Sequence, residues 1–197
     1  MRYPYLLISA IIILLFASCR PNTPVPKPRG YFRYAFPEHA YQTFDSASFP
    51  FTFDYPVYGK ITEDATLNKE EHAPYWINVT FPEWDATIYL SYKTITPENT
   101  LDKLVAQSYK LSSKHDVRAD YINTPQFKTR NGLSGVFYNV GGNTASAYQF
   151  FVTDKNKHFI RGALYFNAVP NADSLMPATE FLKKDMEQLV ETMKFRD

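Results

Sequence analysis

Leu133 to Phe166 reads LSGVFYNVGGNTASAYQFFVTDKNKHFIRGALYF. Three apolar, β-branched and aromatic runs, Leu133–Val140, Ala147–Thr153 and His158–Phe166, are separated by two short turn-forming segments, Gly141-Gly142-Asn143 and Asp154-Lys155-Asn156-Lys157. Runs of this length and composition are strands, and connections this short force neighbouring strands to run antiparallel. Upstream, Asn131-Gly132 is a strong turn signal, and Tyr121–Lys128 is a weaker strand interrupted by Pro125. The stretch therefore predicts a four-strand meander.

Working outward, Phe49–Tyr55 (FPFTFDY) alternates like a strand and stops at Pro56. Ile77–Phe81 and Thr87–Tyr92 form two more alternating runs, with Pro82-Glu83-Trp84-Asp85 as the hairpin loop between them. Residues 60 to 75 are polar and charged and read as a loop. Thr96-Pro97-Glu98 has the order of a helix start, and Leu101, Leu104, Val105 and Leu111 follow at helical spacing towards His115. At the end of the chain, Phe181, Leu182, Met186, Leu189, Val190 and Met193 form one apolar helical stripe. Strand runs bracketing helices predict an α+β domain, an antiparallel sheet flanked by two main helices. That order resembles the Mog1/PsbP-like α/β/α sandwich, a likeness of fold that carries no function.

The N-terminus has a different character. Arg2 precedes the apolar run Tyr5–Phe16, then small residues Ala17-Ser18 and Cys19. This is the layout of a signal peptide, and the run is shorter than the ~20 residues a membrane-spanning helix needs. Phe16-Ala17-Ser18-Cys19 resembles a bacterial lipobox, with Phe16 where Leu is usual. Cys19 is the single cysteine, so no intramolecular disulfide forms, and lipidation explains its presence. Residues 1–18 are then the leader, residues 19–30 a lipidated cysteine and tether, and residues 31–197 one globular domain. In the tether, Pro21, Pro24, Pro26 and Pro28 forbid a helix and favour an extended spacer, with a featureless tail as the alternative. The 21 basic and 20 acidic residues become equal in number once Arg2 leaves with the leader. No charge excess points to nucleic acid.

A search for chemistry yields little. His39, His72, His115 and His158 lack metal-pair spacing, and there is no H-E-x-x-H, phosphate-binding loop or dinucleotide fingerprint. Gly132-Leu133-Ser134-Gly135 lacks the spacing and context of a nucleophile elbow. Glu70-Glu71 falls in a loop. No catalytic residue, metal or cofactor is expected. Arg161, in a meander strand, needs a partner if buried, and a structural ion pair is expected. Both tryptophans, Trp76 and Trp84, lie in Ala73–Asp85, and Tyr31, Phe32, Tyr34, Phe36, Tyr41 and Phe44 crowd around Arg33. Each group reads either as core or as a contact surface. The candidate contact set is Tyr31, Phe32, Arg33, Trp76 and Trp84.

The motifs Pro26–Arg33, Phe36-Pro37-Glu38, Phe53–Pro56, Pro74–Asn78, Ile88–Lys93, Gly141-Gly142-Asn143, Gln149–Asp154, His158-Phe159 and Asp173-Ser174-Leu175, in this order behind the lipobox, resemble the gliding motility lipoprotein GldD family of the Bacteroidota. The resemblance spans essentially the whole mature chain. It implies a non-enzymatic component needed for gliding and linked to the type IX secretion system, with partners among those proteins and a membrane anchor at Cys19. Arg20, Pro21 and Asn22 after Cys19 lack both an inner-membrane retention Asp and an acidic surface-export signal, which implies an outer-membrane lipoprotein facing the periplasm. Asp45-Ser46-Ala47 and Asp173-Ser174-Leu175 are similar to Bacteroidota O-glycosylation sites, making Ser46 and Ser174 candidates. The alternative is a small-ligand (glycan) binding lipoprotein or a hydrolase, which needs a deep pocket with convergent polar groups.

Overall fold

A computed structural model describes residues 35–63, 75–114 and 119–196. Their elements run β1 (Tyr41–Phe44), β2 (Phe51–Pro56), β3 (Lys60–Thr62), β4 (Ile77–Phe81), β5 (Ala86–Thr94), α1 (Leu101–Ser113), β6 (Ala119–Asn123), β7 (Gln126–Lys128), β8 (Ser134–Gly142), β9 (Tyr148–Thr153), β10 (His158–Phe166), α2 (Ala172–Thr192) and β11 (Lys194–Phe195). The meander forms as expected: β8, β9 and β10 pair antiparallel in sequence, and Gly132 takes a left-handed φ of 82° in the turn before β8. They join an eight-stranded sheet ordered β3-β4-β5-β10-β9-β8-β6, with β7 also on β8. A second sheet, β1-β2-β11, has three strands.

Burial explains the layering. Every residue of β9 is buried, because both faces of that strand are covered. On one face Phe150 and Val152 join Ile88, Leu90, Ile160 and Leu164, and the apolar stripe of α2 (Leu182, Met186, Leu189) packs with them and with Phe51 and Phe53 of β2. On the other face Phe151, Phe159, Tyr138 and Val140 form a smaller cluster with Leu104 of α1. Two strands from β9, β5 alternates instead: Ala86, Ile88, Leu90 and Tyr92 are buried, and the residues between them are not. Only one of its faces meets a packed layer.

Several elements depart from the sequence reading. The expected loop from residue 60 opens with β3, whose Lys60, Ile61 and Thr62 pair with Thr80, Val79 and Asn78 of β4. The interrupted strand 121–128 is two strands on one partner: β6 pairs with the far part of β8 and β7 with its start, and the Pro125 carbonyl between them accepts the Phe137 N–H. The first helix begins at Leu101, not at Pro97, because Thr100 is the cap and its Oγ1 accepts the Lys103 N–H. Thr96 instead closes a local turn by accepting the Asn99 N–H. The second helix starts at Ala172, ahead of its apolar stripe, with Asn171 capping the Ser174 N–H and Pro177 inside.

Gly162 of β10 lies against the Phe150 ring of β9, where an added Cβ would sit 2.2 Å from Cε1. Phe150 is fully buried, so it cannot swing away. Gly162→Ala is therefore expected to lower unfolding free energy by about 1–3 kcal/mol, read by urea denaturation followed by circular dichroism.

Candidate functional site

The most concentrated polar constellation centres on Asp185. Phe181 and Asp185 stand one helical turn apart on α2 and share a face. Asp185 is completely buried, within the otherwise apolar stripe. A buried carboxylate needs hydrogen-bond donors. Three arrive from distant sequence: His39 Nδ1 lies 2.7 Å from Oδ1, the Tyr41 hydroxyl donates to Oδ1 at 3.1 Å, and the Tyr58 hydroxyl donates to Oδ2 at 2.6 Å. Burial, and then the Asp185 carboxylate itself, push the pKa of Tyr41 well above the ordinary phenol value. Burial, the Asp185 hydrogen bond and its charge do the same to Tyr58. Both hydroxyls therefore stay protonated and donating.

Aromatic rings close the cluster. The Phe181 ring is sandwiched between Phe36 and His39, each with centroids 4.4 Å away and nearly parallel. Trp84, from the hairpin turn between β4 and β5, sets its ring edge-on to Phe181 at 5.3 Å and to Tyr58 at 5.4 Å. The segment from Phe36 to Phe44 is thereby fastened to α2. The histidine–carboxylate pair has the orientation of a base and its orienter, yet the hydroxyls touching it are tyrosines that already donate to the same carboxylate. Its chemistry is that of a latch.

Two further polar groups are built into the meander. His158 Nδ1 lies 2.7 Å from the Tyr92 hydroxyl, and its ring stacks on Phe195 at 4.7 Å. In the β9–β10 turn Asp154 Oδ1 accepts the N–H groups of Asn156, Lys157 and His158. Partial burial raises the Asp154 pKa, but these backbone donors outweigh it and the net shift is downward. Arg161 is largely buried, and among the described residues it makes no ion pair, contrary to expectation. Its guanidinium donates to the Gln149 side-chain oxygen, which also accepts from Ser112 at the end of α1. Burial pulls the Arg161 pKa below its usual value.

Cys19, Tyr31, Phe32 and Arg33 lie outside the described residues, as do His72, His115 and the Glu70-Glu71 pair. Trp76 and Trp84 are half-buried and are not brought together as one patch. Trp76 donates from Nε1 to the Tyr92 carbonyl at 3.0 Å and carries Lys93 Nζ 5.0 Å from its ring centre, whereas Trp84 belongs to the Phe181 cluster. Ser46 sits in the β1–β2 turn, its hydroxyl 2.9 Å from that of Ser48 and its carbonyl accepting from Arg196. Ser174 is exposed in the first turn of α2. Asp185 was missed in the sequence, and the one signal for it is an acid within the apolar stripe of the last helix. Among the described residues no group of three or more His, Cys, Asp or Glu could hold a metal ion, and no helix is long and apolar enough to cross a membrane. A small pocket of about 180 Å³ lies between the start of α2 and the end of β8.

An eight-stranded antiparallel sheet with α1 on one face and α2 on the other has the PsbP-like architecture. The solution structure of cyanobacterial PsbP (CyanoP) from Synechocystis sp. PCC 6803 matches with a TM-score of 0.51 at 13% identity, covering 83% of this chain and 97% of that one. No curated protein matches the chain. The family model for the gliding motility lipoprotein GldD matches residues 21–195, and the chain belongs to that family. It is thus a gliding motility lipoprotein, and by that membership a protein of the cell envelope.

Asp185→Ala leaves three donors facing an empty site and is expected to cost about 3 kcal/mol or more in chemical denaturation. Tyr41 and Tyr58 have raised pKa values in the folded state, so the folded protein holds protons that the unfolded chain releases. Their contribution is complete below the unfolded value of about 10 and is lost as pH rises above it. Thermal melts across alkaline pH are expected to show a fall in Tm that Tyr58→Phe reduces.

Proposed function

We propose that this protein is a lipid-anchored, non-enzymatic accessory of the gliding machinery that supports protein export by the type IX secretion system. Family membership over residues 21–195 is the observation that carries the reading. The lipobox ending at Cys19 supports attachment at that residue, with residues 1–18 removed, residues 19–30 as tether and residues 31–197 as the working domain. The residues following Cys19 support an outer-membrane location facing the periplasm. A partner contact through Tyr31, Phe32, Arg33, Trp76 and Trp84 belongs to the same reading, as does glycan attachment at Ser46 and Ser174.

The latch on Asp185 fits this role. Along the chain, Phe36 to Phe44 is the part of the described domain nearest in sequence to Cys19. Rings and hydrogen bonds tie that segment to the longest helix at Phe181 and Asp185. A pull on a lipid anchor is then passed to the core. An accessory protein that holds other parts in position needs such a connection, whereas a hydrolase or small-ligand carrier needs a deep polar pocket.

Deleting the gene in the source bacterium is expected to abolish colony spreading and to retain type IX cargo inside the cell. Normal secretion with lost spreading would leave a motility role without the export link, and no defect in either would sink the proposal. Trp76→Ala and Trp84→Ala, expressed at the parent level, are expected to weaken spreading. Loss of stability with full spreading would remove both residues from the contact set.

A further inference from the structure

Strand register places Lys60, Thr62, Asn78, Thr80, Thr87, Tyr89, Ser91 and Lys93 on the face of the eight-stranded sheet that also holds Arg161 and Tyr165 of β10. The α1 side of this face is filled by Phe151, Phe159 and Tyr138. Among the described residues none packs over its β3–β4–β5 half in that way, and the residues of that half are half-buried or exposed. Aliphatic side chains, the usual core of a protein–protein interface, do not occur on these strand positions.

The chemistry of the open half is specific. One row across the strands reads Lys60, Thr80, Thr87, Tyr165, and the next Thr62, Asn78, Tyr89 and the buried Ala163. Hydroxyls and an amide therefore lie in rows on a flat surface, able to donate and accept. Tyr89 is 47% exposed and meets the Tyr165 ring edge-to-face at 5.7 Å, so one phenol ring is held up by the other. These two rings line an open cleft of about 620 Å³ with Asp85, Thr87, Phe166 and Asn167. Asp85 is held there in a left-handed backbone conformation (φ 46°), with its carboxylate accepting from Asn167 Nδ2 at 3.1 Å. On the open half the cations among the described residues are Lys60 and Lys93, with the Asp85 carboxylate at its end; Arg161, on the same face of β10, is largely buried and engages neutral Gln149.

We propose that this half of the sheet binds an acidic polysaccharide. Sugar rings lie on Tyr89 in the cleft, the Thr and Asn rows exchange hydrogen bonds with ring hydroxyls, and the cations meet the carboxylate or sulfate groups of the strand. Charge complementarity selects an anionic glycan, and the lack of aliphatic side chains disfavours a protein.

The test passes the detergent-solubilised full-length lipoprotein over immobilised polygalacturonate, neutral dextran and poly-L-glutamate. Retention on polygalacturonate at low ionic strength, released as salt rises, is expected. Lys93→Glu and Tyr89→Ala are each expected to weaken retention about fivefold or more. Lys110→Glu, on the exposed side of α1, is expected to change nothing beyond bulk charge, and melting curves confirm that each variant is folded. Absence of retention on polygalacturonate, or folded Tyr89→Ala and Lys93→Glu proteins retained like the parent, overturns the proposal. So does equal retention on poly-L-glutamate, which would mark a site for an acidic protein, and so does stronger retention on dextran.

Discussion

A single buried carboxylate organises the N-terminal half of the core. Asp185 lies where the helix stripe would otherwise be apolar, and an unpaired charge there would cost several kcal/mol. It is tolerable because His39, Tyr41 and Tyr58 all point at it. Those residues flank or belong to β1 and β2, so satisfying one charge sets the position of the small sheet against α2. The Thr192 hydroxyl accepts the Asp54 N–H at the other end of the same helix, and β11 then pairs with β2. The helix, the small sheet and the leading segment are therefore interdependent.

The large sheet follows a different logic. One of its central strands, β9, is buried on both faces and carries few polar groups beyond the ladder itself: the Tyr148 hydroxyl donates to Glu187, and Gln149 and Thr153 add two more. These two are satisfied locally, Gln149 by Ser112 and Arg161, Thr153 by the His158 carbonyl. Moving away from β9 towards β3, the α1 side of the sheet turns from rings to hydroxyls and cations. One fold thus carries an apolar centre and a wettable wing on the same face, and α1 covers only the former.

The meander between Leu133 and Phe166 was legible because its signals are local: turn residues at short spacing between β-branched and aromatic runs. The hairpin of β4 and β5 and the two helices were legible for the same reason, as period-2 and period-3.6 patterns. What failed was also local in cause. Lys60-Ile61-Thr62 carries no strand pattern of its own and becomes β3 only because β4 offers an edge. Thr96 and Thr100 present the same capping side chain, and the turn that Thr96 makes with Asn99 decides between them. Of the candidate contact residues, Trp76 and Trp84 were legible as amphipathic rings, but their separate surroundings were not.

By itself the sequence determined the α+β class, the antiparallel order of the central strands and the family. Each of these is written in contiguous residues, as periodicity, turn chemistry or ordered motifs. Tertiary structure alone decided that Asp185 is the hub of the latch, that Arg161 engages a neutral amide in place of an acid, and that Lys60, Lys93, Tyr89 and Tyr165 share one face. These facts depend on residues up to 146 positions apart meeting in space. An acid on a helix or a lysine on a strand has no environment until the sheets are packed.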